Sequence, residues 1–235
     1  MEGRSLSRGL TTIPAVLLMF GLTTQACLVA AAGEAGAPVE TDQIVDKLQQ
    51  RYTSTADFSA DFFQETQIKA LNRTIKSRGK VYFKRPGRML WRYEEPKGQF
   101  VLSDGKNLYL YQPEQSQVIK TDLKTAFRSD VPLSFLLGLG NLKRDFKANL
   151  KGSDNNQYTL QLEAKSEIGQ VGQIFLGVDA KNYDIVWVRM IDPVGNVTGV
   201  RFSPLQRGVG LKDPLFQFEA PKGAEVVDMS GQKGP

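Results

Sequence analysis

The chain has 235 residues, with 30 Lys and Arg against 25 Asp and Glu, one cysteine and no histidine. The missing histidine removes the commonest general base, metal ligand and nucleophile activator, and it excludes zinc sites built from His and Cys. A net charge of +5, spread along the sequence rather than gathered in a basic stripe, argues against a nucleic-acid partner.

Residues 1–32 have the three parts of a cleaved secretory signal: Arg4 and Arg8, an apolar run from Ile13 to Leu22, and small residues at Ala30-Ala31-Ala32. The run is broken by Thr23, Thr24 and Gln25 and falls short of the roughly 20 residues a membrane span requires. Export is therefore expected, with a mature chain starting near Gly33 and carrying 28 basic against 24 acidic residues, a net charge of +4. Cys27 raises the alternative of a lipidated N-terminus, but Thr24-Gln25-Ala26 before it lacks the usual leucine. If cleavage follows Ala32, no thiol remains.

Residues 33–40 read as a flexible lead, residues 41–228 as one domain, and residues 229–235 as a disordered tail. Thr41 or Asp42 can cap a helix whose apolar stripe is Ile44, Val45, Leu48 and Tyr52. The period then changes to two. Phe58, Ala60 and Phe62 alternate with polar neighbours, as do Val81 and Phe83, then Met89, Trp91 and Tyr93, then Phe100 and Leu102, then Leu108 and Leu110. Turn signals at Arg85-Pro86-Gly87, Glu95 to Gly98, Ser103-Asp104-Gly105 and Gln112-Pro113 make this an antiparallel meander.

Between Asp122 and Asn149 the alternation stops. Asp130 and Pro132 suit the start of a helix, and Leu133, Phe135, Leu136, Leu137 and Leu139 make a nearly unbroken apolar segment closed by Gly138 and Gly140. Strands are expected again at Tyr158–Leu162, Gln173–Val178, Ile185–Ile191, Val197–Phe202 and Leu215–Glu219, with a turn at Asp192 to Asn196. The class is α+β, mainly antiparallel: a curved sheet with helices over its mouth.

Catalytic constellations are weak. Glu94 and Glu95 are adjacent on a strand end, so their side chains point to opposite faces. Ser77-Arg78-Gly79-Lys80 has the Ser-x-x-Lys spacing but lies in a strand, where the two side chains do not meet as they would on a helix.

The segments Gly79 to Pro86, Met89-Leu90-Trp91, Glu95-Pro96, Leu102 to Gly105 and Leu108 to Tyr111 occur in an order that resembles the outer-membrane lipoprotein carrier family, LolA. Phe62-Phe63-Gln64, Val131-Pro132, and Phe216-Gln217-Phe218 followed by Pro221-Lys222-Gly223 extend the resemblance from about Thr41 to Asp228. Met89 departs from members that carry an aromatic residue there. The resemblance implies an incomplete, open β-barrel with a helical lid over a hydrophobic cavity, and a monomer with no cofactor, no metal and no catalytic residue. It implies a periplasmic carrier that takes acylated lipoproteins from an inner-membrane ATP-binding-cassette extractor and delivers them to an outer-membrane receptor.

By the alternation alone, the apolar strand positions are ordinary core; the resemblance makes them a cavity. The expected lining is Phe83, Met89, Trp91, Phe100 and Leu102 on the sheet and Leu133, Leu136 and Leu137 on the lid. The resemblance also makes Arg85 a latch to the lid, its guanidinium engaging carbonyls around Leu137 to Gly140. Carriers of other acylated cargo such as glycolipids, envelope-stress sensing modules and, less well, periplasmic hydrolases are the competing readings.

Overall fold

The structure is a computed structural model, and it describes residues 41–126, 141–154, 156–165 and 172–230. The N-terminal leader and the apolar segment with Leu133, Leu136 and Leu137 lie outside the described residues.

Helix α1 (Thr41–Ser54) has Asp42 in its first turn and Arg51 in its last, each at the end where its charge complements the helix dipole. Ile44, Val45, Leu48 and Tyr52 are buried as a single stripe. Burying an aliphatic side chain contributes roughly 1.5–3 kcal/mol, so this helix of 14 residues is held by packing more than by its own propensity.

Six strands follow: β1 (Asp57–Ile68), β2 (Arg73–Lys84), β3 (Arg88–Glu95), β4 (Phe100–Asp104), β5 (Asn107–Gln112) and β6 (Gln117–Asp122). The expected turns join β2 through β6, including Arg85-Pro86-Gly87 between β2 and β3, where Gly87 has a φ of 67°, while β1 and β2 are joined by a 3-10 turn, Lys69–Leu71, that the sequence reading did not mark. Short helices α2 (Leu123–Ala126) and α3 (Leu142–Asp145) then lead into β7 (Phe146–Ser153), β8 (Gln157–Ala164), β9 (Gln173–Asp179), β10 (Ile185–Ile191) and β11 (Val197–Phe202). The two-residue β12 (Gln206–Arg207) pairs with β1, and β13 (Glu225–Asp228) is the last strand among the described residues.

The strands form one sheet in the order β13-β6-β5-β4-β3-β2-β1-β11-β10-β9-β8-β7. Every pairing is antiparallel except β13 with β6. No pairing joins β13 to β7 among the described residues, so the sheet is open. Pairing of β1 with β11 brings the N-terminal meander and the later one into a single sheet.

Two apolar clusters occupy the two faces. The inner one joins the α1 stripe to Phe58, Phe62, Val81, Phe83, Met89 and Trp91, and on to Leu160, Leu176 and Val188. The outer one holds Leu90, Leu102, Tyr109, Val118 and Phe216.

The expected strand at Leu215–Glu219 is instead a 3-10 turn, Asp213–Phe216, that buries Phe216 and runs out in an irregular segment. Pro214 at its first turn lacks the N–H that a sheet ladder needs. β7 begins at Phe146, inside the stretch read from the sequence as a break in the sheet.

Candidate functional site

The inner face of β1–β3 and β11 carries two aromatic groups within one apolar cluster. Phe58 pairs across the strands with Phe83 and stacks on it at 4.6 Å between ring centroids. Tyr52 of α1 meets Phe58 edge-on at 5.9 Å. Phe62 lies 4.8 Å from Trp91 and 5.0 Å from Tyr93, and Phe202 closes on Trp91 at 5.9 Å. Gly79, opposite Phe62, leaves room for that ring and for the β3 backbone: a Cβ there would stand 2.9 Å from Phe62 and 2.1 Å from the Arg92 carbonyl oxygen. The site is therefore an aromatic strip whose spacing is set by register, Phe58 and Phe83 stacking and the other rings meeting tilted or edge-on.

Of the expected sheet lining, Phe83, Met89 and Trp91 come together on this face. Phe100 and Leu102 do not. β3 and β4 pair Leu90 with Leu102 and Arg92 with Phe100, so both residues point to the outer face, while Val101 and Ser103 stand beside Trp91 and Met89. Alternation fixes which residues of one strand share a face, but the turn sets the phase of the next strand. Phe100 and Leu102 line an outer groove of about 690 Å³, with Leu90 and Arg92 on one wall and Leu215 and Phe218 on the other.

Arg85 follows from its place in the β2–β3 turn. Its backbone N–H donates to Ala56 O at 2.9 Å, and its Nη1 donates to Tyr52 O and Thr53 O, both at 3.0 Å. The Tyr52 and Thr53 carbonyls belong to the last turn of α1, where helix acceptors lack intrahelical partners. The carbonyls first expected to receive Arg85, around Leu137 to Gly140, lie outside the described residues.

A second fastening, with no counterpart in the sequence reading, holds the same end of α1. Asp184 is buried and accepts from Arg51 Nε at 3.0 Å and from Arg207. Arg207 also donates to Thr55 Oγ1 and lies over the Tyr52 ring, 5.8 Å from its centroid. The Tyr52 hydroxyl accepts from the Ile185 N–H at 3.1 Å. Burial pushes the Tyr52 phenol far above its ordinary pKa, and that of Tyr93 up to about 12. Both stay neutral as parts of an uncharged surface.

Among the described residues no cluster of His, Cys, Asp or Glu could hold a metal ion. The arrangement offers apolar area with a fastened helix at its edge.

A family model described as outer membrane lipoprotein carrier protein LolA matches residues 53–219. A relative from Cupriavidus pinatubonensis named outer-membrane lipoprotein carrier protein is 30% identical over 210 residues, covering 88% of this chain and 97% of its own. One of the same name from Nitrosomonas europaea is 30% identical over 212 residues, covering 89% and 98%. The solved structure of an uncharacterized conserved protein from Thermus thermophilus shares the fold, with a TM-score of 0.52 at 12% identity over 80% of this chain and 98% of that one.

Proposed function

Since the chain belongs to the LolA family of outer-membrane lipoprotein carriers, we propose that its inner aromatic face receives the acyl chains of lipoproteins and shields them across the periplasm. The observation that supports this most is the strip Phe58, Phe83, Phe62, Trp91 and Phe202, extended by Met89. At about 0.8 kcal/mol per buried methylene, a 16-carbon chain is held in a bilayer by on the order of 12 kcal/mol. A carrier must match much of that and still let go, which suits an adaptable Met89 beside flat rings. Loading from an inner-membrane ATP-driven extractor and delivery to an outer-membrane receptor complete the proposal, with Leu133, Leu136 and Leu137 as cover.

An acylated peptide should change tryptophan fluorescence where its unacylated twin does not. The second tryptophan, Trp187, donates to Gln157 Oε1 at 2.6 Å, and a Trp187→Phe background isolates the Trp91 signal. Identical spectra with both peptides would leave the inner face as packed core only.

Arg85 is the proposed latch, holding the end of α1 against the sheet while the carrier is empty. Losing it favours the open, loaded form. Arg85→Leu should accept cargo from inner membrane but pass it on at least about tenfold more slowly, since a hydrogen bond from a charged donor contributes roughly 1.5–3 kcal/mol. Arg85→Lys, which keeps the charge without the planar fork, should fall between. Wild-type onward transfer by Arg85→Leu would refute the latch.

A further inference from the structure

Among the described residues, several polar groups that reach the inner face are matched there, and the Trp91 indole is not. The Tyr52 hydroxyl accepts from Ile185, the Tyr93 hydroxyl donates to Gln64 Oε1 at 3.3 Å, and Ser103 Oγ donates to Gly87 O at 2.7 Å. The indole Nε1 of Trp91 is buried and has no hydrogen-bond partner among the described residues. Trp91 itself is 7% exposed.

Its neighbours show why. Across the strands Trp91 faces Val81 and Val101, and its ring is bordered by Phe62 and Phe202. None of these side chains can accept a hydrogen bond. A buried donor left unmatched is costly, and phenylalanine would supply the aromatic contact without that cost. The other indole N–H of this chain follows the rule, Trp187 donating to Gln157.

The acceptor must then come with the ligand. Acyl methylenes offer none, but the carbonyl that joins an acyl chain to its carrier atom does. We propose that the Trp91 indole N–H hydrogen-bonds the carbonyl oxygen of an ester- or amide-linked acyl chain. This rests on the carrier reading and deepens it. The bond sets how far a chain enters, because the carbonyl stops at Trp91 while the methylenes continue along the strip. It also makes the protein selective for acyl over ether-linked chains, since an ether oxygen is the weaker acceptor.

Calorimetry with two ligands tests this: a cysteinyl peptide bearing a dipalmitoyl glyceryl group, and its dihexadecyl ether counterpart. The wild type should prefer the ester form by about tenfold, the worth of one hydrogen bond in a dry site. Trp91→Phe should abolish that preference by weakening the ester form alone. The thermal midpoint of the empty variant should stay level or rise, because the unmatched donor is gone. A second measurement needs no change at Trp91. In a Trp187→Phe chain the single remaining indole N–H resonance should move downfield with the ester ligand and much less with the ether. Equal affinities of the wild type for both ligands, or equal loss of both in Trp91→Phe, would overturn the inference and leave the carrier reading intact. Binding of neither ligand by the wild type would sink the carrier reading and this inference together.

Discussion

Asp184 is a carboxylate taken out of water and held between two guanidinium groups, Arg51 and Arg207. Its side chain is 8% exposed and that of Arg207 16%. Arranging such a group is expensive, and removing one partner of a buried ion pair is more so, because the remaining charge is stranded. Asp184→Asn should therefore lower stability by about 3 kcal/mol in urea unfolding. Loss of less than about 1 kcal/mol would mean that the pair behaves as an exposed one. Arg85 stands out in the sequence because a turn proline follows it, whereas its acceptors, Tyr52 and Thr53, carry no local mark. Asp184 is invisible there for the same reason: its partner Arg51 lies 133 residues away, and no periodicity links them.

The segment from Leu211 to Phe218 shows what is gained when an element is tied down without regular structure. Lys84 Nζ donates to Leu211 O at 2.7 Å and to the Asp213 carboxylate, which Arg88 also engages. Beyond it Phe216 is buried against the outer sheet face, and Phe218 stacks on Tyr109 with centroids 4.0 Å apart. The hydrogen bond from Lys84 is the main reason that Asp213 titrates below the ordinary carboxylate range. A carboxylate with a depressed folded-state pKa contributes stability that is full above its unfolded pKa of about 3.9 and is lost as pH falls through the lower folded value. The urea midpoint of the wild type should thus exceed that of Asp213→Asn at pH 6, modestly because the carboxylate is exposed, with the gap closing toward about pH 2 to 3. A gap that persists in acid would assign the effect to shape rather than charge. Most elements are legible from alternation and turns, since Gly, Pro and Asp mark hairpins locally. What cannot be read is phase across a turn, which sends Phe100 and Leu102 to the outer face, and the apolar run at Leu215–Glu219, whose burial by an irregular segment imitates a strand.

On the scale of the whole molecule, one sheet serves two apolar clusters, and only the inner one meets α1. If cargo is taken up on the inner face as proposed, this division leaves the outer cluster to stabilise the sheet throughout, a separation suited to a carrier that is alternately empty and full. Export fits the same life. The mature chain should begin near Gly33 with no lipid attached, which intact-mass measurement of protein recovered from periplasm checks; a diacylated Cys27 at the N-terminus would make the protein an anchored one instead.

The open sheet described above ends in β13 on one side and β7 on the other. Among the described residues each end strand has a ladder of backbone donors and acceptors with no neighbouring strand, the template on which a second chain can stack and begin an aggregate. A closed barrel would abolish both edges but would also fix the aperture. This chain leaves the sheet open and blunts the two described edges separately. β13 is only four residues long, with Glu225 at one end and, at the other, Asp228 paired to Lys120. β7 carries exposed Lys147 and Lys151, and its pairing with β8 is interrupted between Leu150 and Gly152. Brevity on one edge, and charge with a break in register on the other, leave little straight ladder for another copy to extend, so an open sheet does not become an invitation to polymerise.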